Sequence, residues 1–247
     1  MGFRRVFRTH PFFWDNLHNL KHAYGPKNEA LSRADVTCVI ATWDEGLTIK
    51  YALESSSRFV SKYIIVDKDG STVEAIKEAR DSLELDLDIY TKPNLNVRQA
   101  RDYGFRKAKN PWILTQDGDE IFYTEGPQSI HTLREYMTRP NIVICAPKLL
   151  LYGSLRHTMR KCTVMPPHTL LYHNNGTIRQ NTSPNRDHQE IDAWRIGLPH
   201  PFLFNCRIKR SYNLEERCIP YDPEKYYQYP KIITKILKKG TASSLDA

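Results

Sequence analysis

Three carboxylates lie within four positions of one short stretch, ILTQDGDEIF (113–122): Asp117, Asp119 and Glu120. They follow an apolar run that is typical of a buried strand. Crowded carboxylates repel one another unless a cation or hydrogen-bond donors compensate their charge. A D-x-D turn suits a hard divalent cation, which prefers oxygen ligands and often keeps positions open for substrate phosphates. Because Asp and Gly are also common in ordinary turns, this stretch alone does not decide its role.

The elements that must position these carboxylates follow a regular order along the chain. Apolar, β-rich runs occur at 36–42, 62–67, 87–90 and 111–116. Segments with helical spacing lie between them at 46–60, 71–83 and 96–109, with Ser71 as a plausible N-cap of the second. Such alternation predicts βαβ units, with a mostly parallel sheet covered by helices on both faces. We therefore expect an α/β fold, and a chain of 247 residues is long enough for one large core.

Polar and mostly acidic residues come directly after three of the predicted strands. They are Thr42, Asp44 and Glu45 after the first, Asp67 and Asp69 after the second, and Asp117 and Asp119 after the fourth. Ligands of open α/β sheets bind at the carboxyl ends of the strands, which share one edge when the strands are parallel. The sequence thus predicts a site for a cation and an anionic ligand at that edge.

Three segments resemble motifs of the family 2 glycosyltransferases of GT-A fold, which move a sugar from a nucleotide-sugar donor to an acceptor. VTCVIATWDE resembles that family's V-S-V-V-I-P-T-Y-N-E, and IIVDKDGST resembles I-I-V-V-D-D-G-S-T with Lys68 inserted. QARDYGFRKAKNPWILTQDGDE resembles its A-A-R-N-x-G helix followed by W-I-L-x-L-D-A-D-D. The departures Ala41, Asp44 and Asp102 are mild. This resemblance covers residues 36–125 and implies a GT-A sheet with a C-terminal acceptor-side elaboration.

The resemblance also implies which residues bind the donor. These are Thr42, Asp44, Asp67, Asp69, Arg98, Arg101 and Asp117. A carboxylate after the second strand can accept the N3–H of uracil, which makes a UDP-sugar the favoured donor, although other nucleotides occur with the same motif. The inserted Lys68 leaves open whether Asp67 or Asp69 meets the nucleobase, and we favour Asp67.

A Mn²⁺ or Mg²⁺ cofactor is implied as well, because the leaving diphosphate develops negative charge that a divalent cation neutralises. Asp119 is the first choice as direct ligand, whereas Asp117 touches the donor ribose or reaches the metal through water. His200 is a further candidate ligand. Positive side chains are candidates to bind the diphosphate: Arg98, Arg101 and one member of the RIKR segment (Arg207, Lys209 or Arg210).

Inverting transfer requires a base that takes the proton of the acceptor hydroxyl. The base should come from the second half, where Asp187, Glu190 and Asp192 are the only acidic residues between Glu135 and Glu215. Glu190 fits the family spacing best and Asp187 is second. The segments 185–192 and 198–217 resemble the acceptor side of bacterial and phage-like members more loosely.

The net charge of +8 is concentrated in the second half, with 11 Lys and Arg against 5 Asp and Glu between Lys148 and Arg217. A positive surface favours phosphates, nucleic acid or acidic lipid without choosing among them. The acceptor is therefore open: a glycan, a lipid-linked saccharide, a protein or nucleic acid. A nucleic-acid or anion-binding module without catalysis is the main alternative, but it would not require a D-x-D turn. A nucleotidyltransferase would need a Gly-rich phosphate loop with a Lys, which ATWDEGLTIK is not.

We expect three regions within one continuous domain: a basic and aromatic arm (1–35), a nucleotide-sugar-binding half (36–125) and an acceptor-binding half (126–247). No apolar stretch is long enough to span a bilayer, and the five cysteines are scattered, so we expect a cytoplasmic protein with reduced thiols. The segment 226–240 predicts a basic amphipathic helix after Pro230. Its apolar stripe either packs on the domain or makes a peripheral contact with an anionic membrane.

Overall fold

A computed structural model describes residues 27–159, 163–176, 179–180, 189–190, 194–198, 200–207 and 218–238. Its first half alternates strands and helices in the predicted order. The elements are α1 (Glu29–Arg33), β1 (Val36–Thr42), α2 (Ile49–Ser56), β2 (Lys62–Asp67), α3 (Val73–Leu83), β3 (Leu87–Thr91), α4 (Val97–Lys107) and β4 (Trp112–Asp117). The predicted bounds of β1 and β2 are confirmed, β3 is one residue longer, and β4 is shifted by one residue.

The second half is built mainly from strands. They are β5 (Glu120–Phe122), β6 (Ile142–Tyr152), β7 (His157–Met159), β8 (Val164–His173), β9 (Arg179–Gln180), β10 (Gln189–Glu190), β11 (Trp194–Gly197), β12 (Leu203–Arg207) and β13 (Cys218–Pro220). A 3₁₀ helix (Ile130–Glu135) and a terminal helix α5 (Lys231–Lys238) complete the described elements.

One mixed sheet joins the two halves. Its strand order is β3-β2-β1-β4-β8-β6-β12-β5, and β11 also pairs with β6. The first four strands are parallel to one another, β8 runs antiparallel to both β4 and β6, and β12 runs antiparallel to β5. The expected α/β fold with a mostly parallel first half is thus confirmed, and strands after residue 126 extend the same sheet.

Helices cover both faces of the sheet, as the continuous apolar strands predict. All seven residues of β1 are buried. On one face Cys38 and Ile40 share a cluster with Leu53 of α2 and Ile76 of α3. On the opposite face Val39 belongs to a separate cluster with residues of α4. Strand β1 is therefore held by packing on both faces. This packing fixes the position of its carboxyl end, where the next loop begins.

Helix α4 approaches β1 closely because residue 104 is glycine. A Cβ built at Gly104 would lie 2.4 Å from Cγ1 of Val39, so a larger residue would force the helix or the Val39 side chain to shift. The helix begins with a capping box, in which the Asn96 side chain accepts from the Gln99 backbone and the Gln99 side chain accepts from the Asn96 backbone. The sequence therefore sets both the residue at which α4 begins and the distance between α4 and β1.

Two local predictions need correction. Thr72, not Ser71, is the residue that precedes α3, and its side chain makes no capping hydrogen bond. The Ser71 amide instead donates to the Asp69 side chain in the loop after β2. The predicted helix at 46–60 is confined to Ile49–Ser56, because Thr48 and the residues before it form the turn that leaves β1.

The terminal helix α5 forms where it was expected, directly after Pro230. Ile232, Ile233 and Ile236 are buried in a cluster that includes Phe204 and Tyr221. The apolar stripe therefore packs on the parent domain. Within the described residues, no helix is long and apolar enough to cross a bilayer. None of the four described cysteines forms a disulfide bond, and Cys162 and most of the predicted arm (residues 1–26) lie outside the described residues.

Candidate functional site

The register of the parallel strands brings three predicted donor-binding residues to one edge. Thr42 pairs with Asp67 across β1 and β2, and Ala41 pairs with Asp117 across β1 and β4. All three strands therefore end at the same level. The adjacent loops then carry the remaining polar side chains into the space beyond this edge.

The loop after β1 and the D-G-D turn after β4 touch each other. A Cβ added to Gly118 would lie 3.1 Å from Thr42 Oγ1 and 3.1 Å from Glu45 Cβ, so glycine permits this approach. The Glu45 carboxylate accepts hydrogen bonds from the Thr42 hydroxyl and the Trp43 amide, which closes the loop on itself. Asp44 lies exposed at the tip with φ of 60°, a left-handed conformation that aspartate tolerates.

Asp117 is held by an arginine from the neighbouring helix. The Arg101 guanidinium of α4 forms an ion pair with Asp117 Oδ1. Burial raises the pKa of Asp117, but the positive charges of Arg101 and Lys148 outweigh it, so the pKa lies below its ordinary value. Arg98 lies one turn before Arg101 on the same face of α4. This face of the helix thus presents positive charge to the D-G-D turn.

Asp119 has the opposite electrostatic environment. Burial, followed by the negative charges of Asp117, Glu120 and Glu45, raises the pKa of Asp119 to about 8. Its carboxylate is therefore a buried acid with an excess of negative neighbours. A cation placed beside it would favour the ionised form and so counter this shift.

The carboxylates at this edge fit a Mg²⁺-type cation whose coordination the substrate completes. Within the described residues, no three His, Cys, Asp or Glu side chains are grouped to hold a metal ion. Mg²⁺ is usually bound by one or two carboxylates together with substrate phosphates, not by a complete protein cage. Asp117 and Asp119 satisfy that pattern, and the negative charges around Asp119 favour a bound cation there.

Asp67 and Asp69 are distinguished by burial. Asp67 is fully buried, its Oδ2 accepts from the Gly70 amide, and its Oδ1 has no partner among the described residues. Asp69 is engaged locally by the Ser71 amide and the Trp43 indole, and the Ser71 bonds lower the pKa of Asp69. An unpaired buried oxygen is costly unless a ligand supplies a donor, which agrees with the choice of Asp67.

A polar network behind the turn was missed by sequence reasoning. Glu120 is buried and forms an ion pair with Lys148 of β6, while its other oxygen accepts from the Asp117 amide at 3.1 Å. The Asn205 amide of β12 donates to both Asp119 and Glu120. Glu120, the last residue of the D-G-D-E stretch, was the only member of this network that the sequence marked. Lys148 and Asn205 lie 28 and 85 positions from Glu120, and no motif marks them.

The candidate base lies in a two-stranded antiparallel sheet next to helix α4. Glu190 is in β10 and pairs with Arg179 of β9, and β9 contacts α4, the helix that carries Arg101. This small sheet is thus close to the helix whose arginine holds Asp117. Asp187, Asp192, Lys209 and Arg210 lie outside the described residues.

His200 is not brought to the D-G-D turn. The antiparallel register pairs Asn205 with Glu120, and the Cys206 amide donates to the Asp119 carbonyl at 2.7 Å. His200 lies six positions before Cys206 and therefore well away from the turn. Its imidazole is exposed and lies 3.5 Å from the Tyr227 hydroxyl. Arg207, in contrast, is near enough for its charge to lower the pKa of both Asp117 and Asp119.

Comparison with protein families found a match to the family described as Glycosyl transferase family 2, over residues 37–204. No curated protein sequence matched. Among solved structures, the mannosyltransferase PcManGT from Pyrobaculum calidifontis, in complex with GDP-Man and Mn²⁺, has a TM-score of 0.52 and 15% identity, and the match covers 81% of this chain and 65% of that one. The similarity confirms the expected GT-A type of fold.

Lower similarity was found to S. aureus TarS, with a TM-score of 0.48, 13% identity and coverage of 69% of this chain and 36% of that one. A shorter form of TarS in complex with UDP-GlcNAc has a TM-score of 0.45, 13% identity and coverage of 78% and 64%. The chain thus spans less than two thirds of the length of each of these solved proteins.

Proposed function

Because this chain belongs to glycosyl transferase family 2, we propose that it transfers a sugar from a nucleotide-sugar donor to an acceptor hydroxyl, with inversion at the anomeric carbon. The observation that carries the proposal is the meeting of three strand ends, which gathers Asp67, Asp117 and Asp119 at one edge of the sheet. Asp117 and Asp67 also make contacts within the protein, but the carboxylates gathered here leave negative charge around Asp119 that a bound cation would compensate.

In this proposal the nucleotide lies over the ends of β1 and β2. The unpaired Oδ1 of Asp67 accepts the imide N–H of the base, and Thr42 lies beside it in register. UDP is the favoured carrier because a carboxylate suits the N3–H of uracil. GDP is the alternative, since PcManGT was solved with GDP-Man and the N1–H of guanine offers the same kind of donor.

The diphosphate then lies over the D-G-D turn, with Asp119 as the direct ligand of Mn²⁺ or Mg²⁺ and Asp117 at the ribose or in the outer coordination sphere. When bound, the cation supplies Lewis-acid stabilisation of the departing diphosphate. Arg101 holds Asp117 ionised, and Arg98 and Arg207 add positive charge on either side of the phosphates. We leave His200 out of this set because the register separates it from the turn.

The acceptor enters from the second half, and Glu190 takes the proton of its hydroxyl, with Asp187 as the second candidate. The pairing of β10 with β9, which contacts α4, supports Glu190, because it places this residue on a strand near the helix that carries Arg101. A glycan, a lipid-linked saccharide or a protein would each present such a hydroxyl. The positive excess of the second half suits an acceptor that carries phosphate or another anion.

The test is release of nucleoside diphosphate from a panel of UDP- and GDP-sugars, with Mn²⁺, with Mg²⁺ and with EDTA. We expect release from one donor class that EDTA abolishes and that Asp119→Asn lowers by about 10²- to 10³-fold, the scale of losing a key electrostatic group. Lys77→Met, on the exposed face of α3, is the matched control and should retain wild-type release. Full activity of Asp119→Asn would refute the assignment, and nucleic-acid binding without any release would favour the non-catalytic alternative.

A further inference from the structure

The backbone of Asp119 is held by a strand from the second half of the chain. β12 pairs with β5 so that Asn205 lies opposite Glu120, and the Cys206 amide donates to the Asp119 carbonyl at 2.7 Å. The backbone of the D-G-D-E turn is therefore fixed by β12 and not only by β4, from which it emerges. Any side chain of β12 that faces this turn is in a position to orient its carboxylates.

Asn205 is that side chain, and its orientation is determined. The Arg207 guanidinium donates through Nε to Asn205 Oδ1 at 3.0 Å, so the amide nitrogen must point the other way. From there Nδ2 donates to Asp119 Oδ1 at 3.2 Å and to Glu120 Oε1 at 3.3 Å. Asn205 is only 3% exposed, so both bonds are made in a buried environment.

The two carboxylates that share this amide differ in their other partners. Glu120 is already compensated by Lys148 and by the Asp117 amide. Asp119 faces the negative charges of Asp117, Glu120 and Glu45. One neutral amide with two N–H groups can satisfy an oxygen on each acid without neutralising either. Asp119 thus keeps its ability to bind a cation while one of its oxygens is held in place.

We propose that Asn205 is a positioning residue that holds Asp119 through Oδ1 in the orientation in which it binds the divalent cation. This inference rests on the proposed function, because it assumes that Asp119 is a metal ligand. Outer-sphere partners that orient metal-binding carboxylates commonly change metal affinity about 10- to 100-fold when removed. Asn205 lies one residue beyond the matched range of 37–204, so the family comparison does not include it.

The test measures Mn²⁺ affinity directly, by electron paramagnetic resonance with Mn²⁺ alone and with Mn²⁺ and UDP, alongside circular dichroism to verify folding. Asn205→Leu removes the donor at similar volume and should raise the Kd for Mn²⁺ at least about tenfold. Asn174→Ala is the matched control, because Asn174 also donates two amide bonds but to the Ala108 and Asn110 carbonyls near the start of β4. Its Mn²⁺ affinity should equal that of the wild type.

A second variant keeps the test decisive if Asn205→Leu does not fold. Asn205→Asp keeps the shape but places a third carboxylate against Asp119 and Glu120, so the metal-free protein should melt at a lower temperature. Mn²⁺ should then raise the Tm of Asn205→Asp more than it raises that of the wild type. A residue that only packs would show no such dependence on metal.

The outcomes separate the two claims. If the wild type binds Mn²⁺ and folded Asn205→Leu binds it equally well, or Asn205→Asp responds to Mn²⁺ as the wild type does, the positioning role is wrong while the proposed function stands. If the wild type binds no Mn²⁺ with or without nucleotide, the metal site itself is wrong, and the inference falls with it.

Discussion

Two aspartates separated by one glycine have pKa values shifted in opposite directions. Asp117 faces Arg101 and Lys148, and its pKa lies below the ordinary value despite burial. Asp119 is buried among carboxylates, and its pKa is raised to about 8. The glycine between them therefore separates an acid whose charge is compensated by the protein from one whose charge is not. Such a division suits one carboxylate that is held and another that is available to a cation.

The raised pKa of Asp119 makes the metal-free protein less stable as pH rises. The folded state keeps a proton on Asp119 up to about pH 8, whereas the unfolded chain loses it near pH 4. Below pH 4 the acid is protonated in both states and does not change the free energy of unfolding. Between the two values the folded state binds more protons, so the free energy of unfolding falls with rising pH. We expect Asp119→Asn in EDTA to gain stability over the wild type across this window, by at most about 1.4 kcal/mol per pH unit.

Urea unfolding of both proteins in EDTA between pH 4 and pH 8.5 measures this difference. Asp81→Asn removes an exposed carboxylate of α3 and is the control, for which no widening gap is expected. A gap between Asp119→Asn and the wild type that stays constant over the whole range would show that Asp119 has no raised pKa in the folded protein.

At the scale of secondary structure, the site depends on how deeply α4 lies against β1. This helix carries Arg101, which forms an ion pair with Asp117, so a shift of the helix would move Arg101 relative to that carboxylate. Gly104 sets that distance through its contact with Val39. The glycine of the A-R-N-x-G-like segment therefore acts on the donor site through packing.

Gly104→Ala should lower the free energy of unfolding by about 1–3 kcal/mol, the usual cost of forcing an extra methyl group into a packed core. UDP affinity should fall as well, because the displaced helix withdraws Arg101 from Asp117. Urea unfolding and calorimetric titration with UDP measure the two effects.

Gly46→Ala is the control for that substitution, since a Cβ at Gly46 meets nothing within 4 Å. In a double-mutant cycle, Val39→Ala should recover part of the loss caused by Gly104→Ala, because it removes the Cγ1 that the new methyl group meets. Strictly additive effects, or a Gly104→Ala protein as stable as the wild type, would contradict the close-packing account.

The elements that were predicted well are those with a continuous local signal. β1 and β2 are uninterrupted apolar runs with acids at their ends, so their limits are visible in the sequence. The acidic edge followed from the same pattern, because parallel strands must end together.

The network around Glu120 gave no such signal. Lys148 and Asn205 belong to no motif and lie 28 and 85 positions from Glu120 along the chain. The sheet order β6-β12-β5 is what brings them to the turn. His200 was a candidate ligand only through the family resemblance, and no strand or helix pattern fixes the position of that residue. Burial of a charged pair and the register of an antiparallel strand are tertiary properties, which short-range patterns do not encode.

On the scale of the whole molecule, the two halves of the chain form one sheet and share the site. The first half supplies Asp67, Asp117 and Asp119, while β12 of the second half fixes the D-G-D-E turn from the other side. The second half also carries the candidate base in β10 and most of the excess positive charge. Separating the halves would therefore be expected to dismantle the cation site as well as the acceptor site.

The terminal helix α5 belongs to this shared core. Ile236 is buried with Ile232 and Ile233 in the cluster that contains Phe204 of β12, so the helix supports the strand that holds the D-G-D-E turn. Ile236→Ala should lower the free energy of unfolding by about 2–5 kcal/mol, as for other buried aliphatic truncations. Lys235→Ala, on the exposed side of the same helix, should leave it within about 0.5 kcal/mol of the wild type.

The same burial predicts how the helix behaves beside a membrane. An apolar stripe that is buried in the protein cannot also insert into lipid, so hydrogen exchange of the amides in 232–238 should be as slow with phosphatidylserine vesicles as without them. Any binding of the full chain to such vesicles should then come from its lysines and arginines and be lost in 0.5 M salt, roughly where screening shortens to a few ångströms. Faster exchange in 232–238 on adding vesicles, together with binding that survives high salt, would mean that the helix leaves the domain for the membrane.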